Sequence, residues 1–136
     1  MQLRPLWMCL LLVFFIAMLA VGSIPGNANT LSDRFGDKLL HLLAYGFMAA
    51  LCFQSLRGQH INRSLISLLI IALFGLIDEL VQSLLPYRNA SLLDWCFDIA
   101  AGITVITFMN LFSTVATKTT SACEKKSAKP FFQSQD

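Results

Sequence analysis

Residues 6–22 read LWMCLLLVFFIAMLAVG, without a single charged side chain. That length approaches the roughly 20 apolar residues a helix needs to cross the hydrocarbon core of a bilayer. Three further apolar runs follow: 39–56 (LLHLLAYGFMAALCFQSL), 64–85 and 91–112. The punctuation between them is polar or helix-breaking: Pro25, Gly26 and Asn27; then RGQHINR over 57–63; then Pro86 with Tyr87, Arg88 and Asn89. Short turns between long spans favour antiparallel neighbours. The expected fold is therefore all-α, a polytopic membrane protein built as a bundle of four transmembrane helices over residues 1–112.

Composition agrees. The 136 residues leave room for one domain. Hydrophobic residues make up 56% and charged residues only 13%, against about 25% charged in an ordinary soluble domain. A net charge of +2, with scattered basic residues, excludes nucleic acid as a partner. Of the four cysteines, Cys9, Cys52 and Cys96 lie in apolar runs and none forms a CxxC pair with another or with Cys123, so they read as small hydrophobes. Residues 113–136 turn polar and Lys-rich, which predicts a disordered cytoplasmic tail without chemistry.

Lys and Arg counts orient the bundle. Arg4, Arg57, Arg63, Lys118, Lys125, Lys126 and Lys129 share one side; Arg34, Lys38 and Arg88 share the other. The richer side holds both termini, so the positive-inside rule predicts N-in and C-in. Arg4, the apolar run and the small residues Ala20, Gly22 and Ser23 also resemble a signal peptide. The run is long for that role, and an uncleaved span is the preferred reading.

The acidic residues carry the functional signal. Asp37, Asp78, Glu79, Asp94 and Asp98 sit at the edge of apolar runs or inside them. A charge at mid-membrane costs about 2.5–3.5 kcal/mol on insertion scales and reads by default as functional. Asp37, His41 and Tyr45 are four apart, as are Asp78 and Gln82, with Glu79 adjacent; Asp94, Asp98 and Gly102 form a third stripe. Residues four apart share a helix face. The topology puts the start of span two, the end of span three and the start of span four on the outer side, so the three stripes are expected to face one another there. Gly102 is expected to admit a neighbouring helix at close range.

Five carboxylates against Lys38 and Arg88 leave an excess of negative charge that protons, a cation or water must offset. Carboxylate oxygens suit a divalent cation such as Mg²⁺ or Ca²⁺. His41, oriented by Asp37 one turn earlier, suits a general base. Lys38 and Arg88 suit a phosphate or carboxylate head group. The bland alternative is an ion-pair network that pins the helices, for example Asp37 with Arg88 or Glu79 with Lys38. Residue by residue, Lys38 would snorkel, Tyr45 would pack, Gln82 would make an interhelical hydrogen bond, His60 would be a solvated loop residue, and Trp7 and Trp95 would anchor the two interfaces.

The pattern Asp37-Lys38-x-x-His41-x-x-x-Tyr45, then Asp78-Glu79-x-x-Gln82, then Pro86-x-Arg88-x-x-Ser91-x-x-Asp94-x-x-x-Asp98-x-x-x-Gly102 resembles the VanZ-like family of small bacterial membrane proteins. Family members often have Gly where this chain has Tyr87 and Asn where it has Asp98. The resemblance implies a protein of the bacterial cytoplasmic membrane, connected with the cell envelope or with tolerance to glycopeptides such as teicoplanin. It supplies no reaction.

Together these readings predict an outer cluster that binds or acts on a lipid head group or a lipid-linked, phosphate-bearing envelope precursor. Asp37, His41, Glu79, Asp94 and Asp98 are the candidate catalytic residues; Lys38, Tyr45, Asp78, Gln82 and Arg88 are the candidate ligand contacts. Whether bonds are made or broken, and whether a metal takes part, the sequence leaves open. A transporter is disfavoured, because four short spans without a repeat make a poor alternating-access machine.

Overall fold

A computed structural model describes residues 2–25, 36–88 and 90–127, with the side chains of Gln2, Asp37, His60 and 114–127 outside the description. Among the described residues the protein is all-helical apart from one small ribbon. In chain order, strand β1 (Gln2–Leu3) leads into α1 (Pro5–Gly22). Helix α2 (Asp37–Ser55) runs into strand β2 (Leu56–Arg57), and α3 (His60–Ser83) and α4 (Leu92–Ser127) follow. Three of these helices, α1, α3 and α4, are long and apolar enough to cross a membrane, over Pro5–Gly22, Ile61–Ser83 and Leu92–Ser113. The helix is the natural form for such segments, because it pairs every backbone donor and acceptor internally where no water can.

Successive helices run in opposite directions. The ribbon pairs Gln2 with Arg57 and Leu3 with Leu56 in antiparallel register, and the Arg4 amide extends it by donating to the Ser55 carbonyl at 2.8 Å. The start of α1 is thereby tied to the end of α2. Arg63 closes the same end of the bundle: its Nε donates to the Phe53 carbonyl at 2.6 Å, and its guanidinium lies 3.6 Å from the Phe53 ring centroid. This ribbon was not foreseen from the sequence, since two residues per strand are too few to show a period of two.

Burial runs opposite to that of a soluble bundle. On α3, Leu65, Leu69, Leu73, Leu76 and Leu80 recur at helical spacing and are all exposed, while Ser67, Asp78, Glu79 and Gln82 are buried. Exposed apolar surface of that extent marks a face meant for lipid. Helix α2 sits in the middle, packed against α1, α3 and α4. Its Tyr45, Met48, Ala49 and Cys52 have no exposed surface. Burial by protein on several sides lets α2 carry His41, Tyr45 and Gln54, and α2 is not among the three helices apolar enough by themselves to cross a membrane.

Helix bounds differ from expectation at two places. Helix α3 begins at His60 rather than 64, so His60 opens a helix rather than sitting in a loop, and Arg63 belongs to the first turn. Helix α4 continues past 112 to Ser127, so the segment expected to be disordered is helical that far. The physical reason is that no Gly or Pro interrupts the chain between Gly102 and Pro130, and Ala, Lys and Glu are strong helix formers.

Candidate functional site

The polar stripes of α2, α3 and α4 meet at one end of the bundle. The central link joins α2 to α4: His41 Nδ1 lies 2.9 Å from Asp98 Oδ1, with His41 7% exposed and Asp98 fully buried. One turn further along α2, the Tyr45 hydroxyl lies 3.3 Å from Asp78 Oδ2 and 3.3 Å from the Phe74 carbonyl, both on α3. The His41 and Tyr45 rings stack at 5.9 Å, as their i, i+4 spacing requires. Donor atoms of His41, Glu79 and Asp94 lie within 4.8 Å of one another, and all three residues are buried.

Two features let α3 and α4 approach this closely. At Gly75 an added Cβ would stand 2.7 Å from Asp98 Oδ2 and 3.0 Å from Trp95 Cδ1, so only glycine leaves room for both side chains. Trp95 then donates its indole N–H to the Ala72 carbonyl at 2.9 Å. Trp95 is half-buried between helices, and not simply the interface anchor its position suggested. Gly102 behaves as expected: a Cβ there would meet Ile71 Cγ2 at 3.3 Å and Leu68 Cδ1 at 3.4 Å.

The turn before α4 shapes the rim. The Arg88 amide donates to the Leu85 carbonyl at 3.1 Å, closing a β-turn with Pro86 at its second position. No non-glycine residue in the described chain has positive φ, so Tyr87 adopts the type I geometry and not the type II form that a glycine there would permit. Tyr87 uses its side chain instead: its hydroxyl donates to the Ser23 carbonyl at the end of α1. Arg88 Nη2 donates to Gln82 Oε1 at 3.1 Å, and the Ser91 amide donates to Glu79 Oε2 at 2.6 Å. Asp94 lies in the first turn of α4, the end of a helix at which acidic residues are favoured.

Beside the cluster lies a cavity of about 190 Å³. Met18, Val21 and Gly22 of α1, with Leu40 and Ala44, form its apolar wall; His41, Tyr45, Asp78, Gln82 and Arg88 form the polar one. The α1 wall was not foreseen, because α1 offers no polar residue to single out. Ser91 was likewise invisible as a partner of Glu79, because it contributes a backbone amide.

Of the ten candidate residues, His41, Tyr45, Asp78, Glu79, Gln82, Arg88, Asp94 and Asp98 come together. Lys38 does not line the cavity: it is exposed, with Nζ 5.9 Å from the Phe97 ring centroid. The side chain of Asp37 lies outside the described residues. A carboxylate that lies against His41 Nδ1 is that of Asp98, reached across the helix interface.

Chemically, the site offers four buried carboxyl groups, one imidazole, one phenol and one guanidinium at the rim. An imidazole whose Nδ1 is held by a carboxylate is fixed in orientation and tautomer, which suits it to proton transfer or to ligation through Nε2. No protein-family model, curated protein or solved structure matches the chain.

Proposed function

We propose that the chain is a VanZ-like protein of the bacterial inner membrane whose outer cavity holds the head group of a membrane lipid or of a lipid-linked envelope precursor, with glycopeptide (teicoplanin) tolerance as one physiological outlet. The reading takes α2 as a fourth span: its 19 residues, at 1.5 Å each, reach about 28 Å. It takes both termini as cytoplasmic, which places Arg4, Arg57 and Arg63 inside and the cluster outside.

The observation that carries it is the two-sided cavity. One wall is apolar and belongs largely to α1, whose outer face is apolar and exposed; the other presents His41, Tyr45, Asp78, Gln82 and Arg88. An amphipathic ligand fits both walls with its tail left in the bilayer. The volume is below the roughly 300 Å³ at which ordinary small-molecule pockets begin, so it admits a head group and not a whole precursor.

Lipid co-purification tests this. Wild-type protein extracted in mild detergent should retain a defined phospholipid or lipid-linked species by native mass spectrometry. Gly22→Leu should lose it, because a Cβ at Gly22 meets nothing within 4 Å and a larger side chain can grow into the cavity. Arg88→Ala should lose it by removing the rim cation. Equal lipid retention in all three proteins rejects the reading. Turnover of the retained lipid, lost in Asp94→Asn, would make the protein an enzyme; retention without turnover would make it a binding factor.

A structural reading also has an observation behind it: four polar contacts, at His41, Tyr45, Glu79 and Gln82, join different elements of the bundle. If the cluster only pins the helices, Arg88→Ala and Asp94→Asn lower the melting temperature and leave lipid content unchanged.

A further inference from the structure

We propose that His41, Glu79 and Asp94 form a binding site for one first-row divalent transition metal of the Zn²⁺ type, with Asp98 as the residue that positions His41. The three donors come from three different helices, lie within 4.8 Å of one another and are all buried. A four-coordinate Zn²⁺ binds at about 2.0–2.2 Å and so spaces its ligands by roughly 3.4 Å. The donors therefore need to close by no more than about an ångström and a half, through side-chain rotation.

Two independent observations point to an ion there. Glu79 is only 7% exposed, and its Oε1 is buried without a hydrogen-bond partner, while Oε2 already takes the Ser91 amide. A buried carboxylate oxygen left unpaired is costly, and metal ligation is the interaction that three converging donors provide. Asp98 supplies the second observation. Metal-binding histidines characteristically give one ring nitrogen to a carboxylate and the other to the ion. His41 Nδ1 rests against Asp98 Oδ1, which assigns Nε2 to the metal. Gly75 fixes Asp98 in turn, since any larger residue would displace its other oxygen.

Donor chemistry selects the ion. Mg²⁺ and Ca²⁺ take oxygen ligands almost exclusively, whereas imidazole favours Zn²⁺ and its neighbours. Two carboxylates and one imidazole leave a coordination position open, as sites that engage a further ligand do. The three donors and the cavity share His41, and a dication there supplies positive charge that an anionic head group needs among four carboxyl groups. Metal binding itself does not depend on the head-group reading.

The test uses the full chain in detergent, purified without a polyhistidine tag, stripped with chelator and supplied with Zn²⁺, Co²⁺, Mg²⁺ or Ca²⁺ alone. Elemental analysis after gel filtration should find one Zn²⁺ per chain, and Co²⁺ should give the visible absorption of a low-symmetry four- or five-coordinate site. Glu79→Gln and Asp94→Asn should each weaken Zn²⁺ binding at least tenfold, and Asp98→Ala should weaken it 10- to 100-fold by releasing His41. X-ray absorption on the wild-type protein should show one imidazole with oxygen donors, which needs no variant to fold. Failure to retain stoichiometric Zn²⁺, undiminished binding in Glu79→Gln and Asp94→Asn, absence of imidazole scattering, or equally tight Mg²⁺ would each overturn the proposal. If Zn²⁺ binds and no lipid co-purifies, the metal site stands and the head-group reading falls.

Discussion

Gly75→Ala is the smallest change that probes the whole arrangement. The new methyl would lie 2.7 Å from Asp98 Oδ2 and 3.0 Å from Trp95 Cδ1. Neither neighbour gives way cheaply: Asp98 has no exposed surface and holds His41 through its other oxygen, and Trp95 is anchored on the Ala72 carbonyl. Overpacking of a tight interior costs about 1–3 kcal/mol. Disturbing a charge-assisted hydrogen bond adds about 1.5–3 kcal/mol. Replacing a mid-helix glycine by alanine returns about 0.5–1 kcal/mol. The net loss is about 2–5 kcal/mol. Two other glycines serve as internal standards. At Gly102 the nearest atoms stand 3.3 and 3.4 Å away on Ile71 and Leu68, so packing strain and helix gain roughly cancel. At Gly46 the single contact, Val105 Cγ2 at 3.4 Å, leaves Gly46→Ala neutral or up to about 1 kcal/mol more stable. Thermal unfolding in one detergent, followed by circular dichroism, should rank Gly46→Ala at or above wild type, Gly102→Ala close to it and Gly75→Ala lowest. Gly75→Ala melting with or above Gly46→Ala would refute the close approach of α3 to Asp98.

Two further predictions concern the ends of the bundle. Arg63→Ala should cost about 1–3 kcal/mol, from the lost bond to the Phe53 carbonyl and the contact with its ring, and Arg63→Lys should recover only part because lysine lacks the planar fork. In a cysteine-free background, Ala90→Cys should react with an impermeant thiol reagent on intact spheroplasts while Gln59→Cys stays protected; the reverse pattern would invert the orientation and put the cluster inside.

How much of this could be read from the chain follows from what periodicity can and cannot see. Stripes on a single helix were legible: the four-residue spacings of His41 with Tyr45, Asp78 with Gln82, and Asp94 with Asp98 and Gly102 each mark one face. Antiparallel order then made those faces meet. Pairing across helices was not legible, because it depends on the rotation of each helix about its axis. Spacing within α2 could point only to Asp37, whose side chain lies outside the described residues, and gave no sign of Asp98 against His41 Nδ1 from the neighbouring helix. Gly75 drew no notice within an apolar run, since a close approach leaves no mark on the approaching side alone. Lys38 looked like part of the cluster by its neighbours in sequence, yet a residue three positions before His41 lies about 60° round the helix from it, and it is exposed beside Phe97. The contribution of α1 was hidden for a simpler reason: a uniformly apolar helix has no distinguished face.

The pairing of His41 with Asp98 can be measured directly by a double-mutant cycle. His41→Ala and Asp98→Ala, singly and together, should be compared by unfolding free energy in detergent. Each single change strands a buried polar partner and is expected to be the costlier for it, so the double variant should lose less than the sum, with a coupling of about 0.5–3 kcal/mol. Strict additivity, within about 0.3 kcal/mol, would mean that α2 and α4 do not bring these two side chains together, and the site built on that contact would have to be abandoned.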